Sequence, residues 1–196
     1  MIRDDSTLLI VYNEGLLTAT DQQEIQKELE GNIHIAFWAK KNGPMNAAFD
    51  DIITTLSIAI PPAVWEQFLS GIAVATTIGA VKLLAKALKG MLLKKKALKV
   101  TAKSVEESRP TIGIRGENIN IILPADISDE KFEYCIDKAF KSIQSSPHKI
   151  SKEETITYYD ETTGEAITHT LTEYYWNVVE PQIHKKEVNM ENETPI

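Results

Sequence analysis

The chain's one concentration of a single reactive side-chain type is a run of eight lysines from Lys82 to Lys103, with no acid among them. Lys82, Lys86 and Lys89 recur at i, i+4 and i+7, the spacing of one helical face, and Lys94, Lys95 and Lys96 carry the charge beyond it. A row of ammonium groups can dock an acidic protein surface or lie on anionic lipid. It can equally be the solvated face of a helix whose other side is core. A second concentration is aromatic. Tyr158, Tyr159, Tyr174, Tyr175 and Trp176 include four of the six tyrosines and one of the three tryptophans. Such residues make binding hot spots, or pair across the strands of a hairpin.

Other chemistry has little to stand on. His34, His148, His169 and His184 are scattered, without the clustered ligands a zinc site needs. Cys135 falls in the middle of an amphipathic pattern, where a cysteine is more often buried than nucleophilic. Gly113-Ile114-Arg115-Gly116 lacks the Gly-Lys-Ser/Thr ending of a phosphate loop and fits hairpin chemistry better. Asp50-Asp51 and Glu106-Glu107 are adjacent pairs, whose side chains diverge in regular structure, whereas a carboxylate dyad must converge. No catalytic, cofactor-binding or metal-binding residue is assigned, and no small-molecule ligand is inferred.

The elements that would position the lysines begin with an uncharged stretch. Between Asp51 and Lys82 the only charged residue is Glu66. Its uncharged runs, 52–65 and 67–81, fall short of the ~20 residues of a spanning helix. The net charge is −7, so with +8 in the 82–103 window the remainder carries −15. An acidic body argues against nucleic acid as the partner. With 196 residues, 43% hydrophobic and 25% charged, the expectation is one soluble domain over 1–180, its hairpin an appendage from 145, with a disordered acidic tail over 181–196. The single cysteine and the lack of a signal-like N-terminus predict a cytoplasmic protein.

In chain order, Leu8-Leu9-Ile10-Val11-Tyr12 predicts a buried strand. Thr20 and Gln23 have capping-box spacing for a helix over about 21–30. Ile33 to Trp38 predicts a second strand, which makes a βαβ-like opening with a parallel pair. Met45, Phe49, Ile52, Ile53, Leu56 and Ile60 have helical spacing, and Pro61-Pro62 ends that helix and starts another bearing Trp65, Phe68 and Leu69. The longest helix is expected over about 71–96, with Val74, Ile78, Val81, Leu84, Ala85, Leu88 and Leu92 as its buried stripe. Leu98–Lys103, Ile112–Arg115 and Ile119–Leu123 predict antiparallel strands of one sheet. Asp126 or Ser128 caps a helix to about 144, and the strands around 155–159 and 166–171 flank a turn at Gly164. The class is α+β: a mixed β-sheet with a helical layer, a long central apolar and basic helix, and a C-terminal β-hairpin.

The order of these parts resembles the effector-associated constant components of bacterial conflict systems. Strand, helix and strand lead into Gly43-Pro44-Met45-Asn46-Ala47-Ala48. An apolar segment, Leu83-Leu84-Ala85-Lys86-Ala87-Leu88, Lys94-Lys95-Lys96 and short strands follow. The resemblance covers about residues 7–123; the Pro61–Ser70 piece and the 128–180 additions depart from it. It implies a non-enzymatic accessory role in bacterial defence and transfers no site residues. The expected function is a soluble protein-interaction module, through a protein partner or self-association. The rival is a membrane-active effector inserting through 52–96, for which the basic stripe would supply membrane-surface contact.

Overall fold

A computed structural model describes residues 7–29, 34–40, 56–71, 74–95, 98–100, 105–107, 109–117, 119–145, 154–174 and 177. The expected turn at 41–44, the helical spacing at 45–55, Lys96, Tyr175, Trp176 and the tail over 181–196 lie outside the described residues.

The architecture is α+β, a seven-stranded mixed sheet with the four longer described helices packed on one face and a single helical turn on the other. The strands are β1 (Leu8–Asn13), β2 (Ile35–Lys40), β3 (Leu56–Ala59), β6 (Thr111–Gly116), β7 (Ile119–Pro124), β8 (Thr155–Asp160) and β9 (Glu165–Thr170). Their spatial order is β2-β1-β3-β6-β7-β8-β9. The helices are α1 (Ala19–Glu28), α2 (Pro62–Leu69), α3 (Val74–Leu92), α4 (Asp129–Ser145) and the single turn α5 (Leu171–Tyr174). β1 and β2 are parallel, with α1 as their crossover. β3 and β6 are parallel, as are β7 and β8, the latter joined through α4.

Alternation along each strand sorts residues onto two faces, and the register aligns them in rows. One row crosses the whole sheet: Phe37, Ile10, Ile58, Ile114, Ile121, Thr157 and Thr168. The four isoleucines at its centre are fully buried under the helices. At its end the Thr157 and Thr168 hydroxyls bond each other at 2.8 Å. Beneath this face Leu84, Leu88 and Leu92 of α3 are buried, each worth about 1.5–3 kcal/mol against exposure. Trp65 and Phe68 of α2 stack at 5.2 Å, and Phe140 of α4 meets Phe68 edge-on at 5.1 Å. Gly116, beside the β6–β7 turn, lies flat against the Trp65 ring.

Four local expectations change. The N-cap of α1 is Thr18 rather than Thr20; its hydroxyl accepts from Asp21 N–H, and Asp21 accepts from Thr18 N–H at 2.7 Å. β2 runs over 35–40 rather than 33–38. Leu56 to Ala59 form a central strand, not the end of a helix. Leu56, Ile58 and Ile60 alternate as well as they space helically, and hydrogen bonding to β1 on one side and β6 on the other decides between the periods. Finally, β4 (Leu98–Val100) pairs with β5 (Val105–Glu107) in a separate two-stranded sheet. At α4 the cap is Ser128, which accepts from Lys131 N–H at 3.3 Å; Asp126 instead receives Arg109 Nε at 2.6 Å.

Candidate functional site

The lysine row faces another helix of the same chain. α3 lies alongside α4, whose Asp129, Glu133 and Asp137 recur at i, i+4 and i+8 on one face. Lys82 Nζ reaches Asp137 at 2.6 Å and Lys86 Nζ reaches Glu133 at 3.5 Å. Lys89 donates to Asp129 and sits 5.4 Å from the centroid of the Phe132 ring. Hydrogen bonding and charge from Lys89, aided by Lys86, hold the Asp129 carboxyl below its ordinary range. Lys89 is buried, with 6% of its side chain exposed, while Lys82 is partly buried and Lys86 is exposed, so the row is a seam between helices that is dry at Lys89 and meets solvent at Lys86. Two sequence-distant faces with matched i, i+4 charge spacing were the signal that could have paired them.

Lys94 is exposed. Lys95 turns the other way, to the Leu16 carbonyl at 2.8 Å and Asp21 at 2.5 Å. Burial alone would raise the Asp21 carboxyl, but hydrogen bonds from Lys95 and Thr18 outweigh it and hold it at about 2. A cleft of about 260 Å³ opens between α1 and α3, with Asp21, Glu24 and Glu28 facing Lys86, Lys94 and Lys95. The opposed charges largely offset each other, and two of them already pair.

Of the aromatic group, the described Tyr158, Tyr159 and Tyr174 divide between the two faces of the sheet. Tyr159 packs against the main core, its hydroxyl 3.1 Å from Lys131 Nζ. Tyr158, one residue earlier, points to the other face with Ile122, Ile156, Leu171 and Tyr174. There Tyr158 meets Tyr174 edge-on at 5.0 Å and stacks on His169 at 5.9 Å. Burial pushes both phenols up. These tyrosines are therefore two structural contacts, not one patch. Cys135 is buried, and that burial raises its thiol despite Lys138 and Lys131 nearby. Among the described residues no group of three His, Cys, Asp or Glu is arranged to hold a metal ion, and no helix is long and apolar enough to cross a membrane.

What remains is the sheet's two edges. At one edge, β9 is guarded. Leu171 N–H bonds Glu154 O at 2.8 Å, which fixes the ladder phase and leaves Ala166, Thr168 and Thr170 with outward backbone groups. Thr170 N–H is taken by the Glu173 carboxylate at 2.9 Å as α5 begins, and Lys138 reaches Glu165 at 3.0 Å. At the other edge, β2 has no such guard among the described residues. Leu8 N–H bonds His34 O and Glu14 N–H bonds Lys40 O, both at 2.9 Å. In a parallel ladder this turns the backbone of His34, Ala36, Trp38 and Lys40 toward β1, and that of Ile35, Phe37 and Ala39 outward. From Ile35 to Ala39 the strand holds no charge, no proline and no bulge. Trp38 is 54% exposed, the most exposed large apolar side chain described. Sequence reading gave this segment as the second strand of a βαβ-like opening; its apolar character gave no sign of an edge position.

No family model, curated protein or solved structure matches this chain.

Proposed function

We propose that the protein is a non-enzymatic accessory module that acts by binding another protein chain, in the cytoplasm, as part of a bacterial conflict system. The observation that carries this reading is the outer edge of β2, which no described residue covers, with Trp38 half exposed beside it. Edge strands in proteins that stay alone are normally blunted by charge, proline, bulges or cover. An unblunted edge offers main-chain hydrogen bonds for affinity and alternate side chains for specificity, which is strand addition. The pairing of Lys82, Lys86 and Lys89 with α4 carboxylates favours the protein-binding reading over membrane insertion through 52–96.

The test is co-expression with the products of neighbouring genes, comparing the wild type with Ala39→Pro. Proline is tolerated on an edge strand where the lost N–H faces outward. Ala39 is such a position, so the variant should fold and lose capture. Capture that is equal in both, or absent in both, would count against the reading.

A further inference from the structure

We infer that the outer edge of β2, which no described residue covers, pairs with β2 of a second copy of the same chain, antiparallel and centred on Phe37. This rests on the interaction-module reading and names a second copy as an occupant of the same edge, in competition with a neighbouring gene product. The outward backbone groups belong to Ile35, Phe37 and Ala39, which are symmetric about Phe37. A two-fold axis at Phe37 therefore pairs Phe37 with its own copy and Ile35 with Ala39. All three outward N–H and all three outward C=O groups of each strand then find partners, in hydrogen-bonded pairs. The axis preserves faces, so side chains opposite each other lie on the same side of the sheet.

Side-chain sizes fit this register. Ile35 meets Ala39, and Trp38 meets Ala36, so each off-axis pair sets a large residue against a small one. On the side away from the main core the exposed Trp38 ring would cover the copy's Ala36 from both directions. On the helical side Phe37, already packed on the core, would meet its own copy. Isologous contact of this kind is what a closed dimer requires. Charge does not oppose it, since the strand is neutral from Ile35 to Ala39. The guarded β9 edge leaves β2 as the side on which the sheet continues, which closes the assembly at two copies rather than extending a fibre. The interface is one strand wide, so it belongs to the small, weak class below about 1,200 Å².

Sedimentation equilibrium on the full chain, across concentrations from micromolar to millimolar, tests the pairing. The expected result is a mass that rises toward twice the monomer value for the wild type and stays at the monomer value for Ala39→Pro. A disulfide test reads the register. Ala36 and Trp38 form a non-hydrogen-bonded pair, with Cα atoms about 4.5 Å apart, within disulfide reach. Differently tagged Ala36→Cys and Trp38→Cys chains should cross-link when mixed and not alone. A monomeric wild type at every concentration, or cross-linking of Trp38→Cys with itself, overturns the inference. The two readings fail separately. A monomeric wild type that still captures a neighbouring gene product leaves the module standing. A dimer that captures nothing leaves the pairing standing.

Discussion

Gly116→Ala tests whether α2 and the β6–β7 hairpin are locked together. A Cβ at position 116 would lie 3.0 Å from Trp65 Cδ2 and Cε3 and 3.1 Å from Cε2. Carbon pairs rest at about 3.5–4.0 Å, so three ring atoms would be overlapped at once. The ring has little room to retreat. Trp65 is 1% exposed, stacked on Phe68 at 5.2 Å and met by Phe140 at 6.1 Å. Overpacking of this kind costs about 1–3 kcal/mol, and the reduced freedom of alanine in the unfolded chain returns about 0.4–1 kcal/mol. The net loss spans about 0–2.6 kcal/mol and centres near about 1.3 kcal/mol, or about 3–5 °C in melting temperature for a chain of this size. Urea unfolding followed by tryptophan fluorescence should show a lower midpoint with an unchanged slope. In a Trp65→Leu background the overlap disappears, and Gly116→Ala should become neutral or slightly stabilising. The double-mutant cycle isolates that coupling. A Gly116→Ala variant as stable as wild type, with no coupling to Trp65, would refute the packing argument.

Changing Lys82, Lys86 and Lys89 together to Gln should lower stability rather than merely strip surface charge, because the α4 carboxylates lose their partners; urea melts at low and high salt would show a difference that shrinks with salt. Asp21 is held at about 2 against an ordinary 3.8, so its contribution is present above about pH 4 and lost as pH falls toward 2. Asp21→Asn should therefore flatten that part of the acid limb, and an unchanged limb would show that the Lys95 contact contributes nothing. Cys135, buried and with its thiol raised, should react with a thiol reagent only as fast as the chain opens; rapid labelling at neutral pH under native conditions would contradict its place in the core.

Several features were legible from residue order alone, because they depend on local periodicity. The alternation of Ile112 and Ile114, the helical stripe of Val81, Leu84, Leu88 and Leu92, and Pro62 opening a helix all specify local geometry whatever surrounds them. Mixed α+β architecture follows from that succession. What residue order did not decide was partnership. Leu56 to Ile60 carried both periods, and only the strands on either side chose between them. The lysine row is an i, i+4 pattern in isolation, and its meaning changed when α4 brought three carboxylates against it from about fifty residues away. Tyr158 and Tyr159 are neighbours in the chain, but the pleat sends them to opposite faces. Whether a strand is inner or edge is likewise a property of the sheet. Ile35 to Ala39 has the apolar composition of a central strand, and only the tertiary order β2-β1-β3 leaves three of its residues with backbone groups turned to the open side.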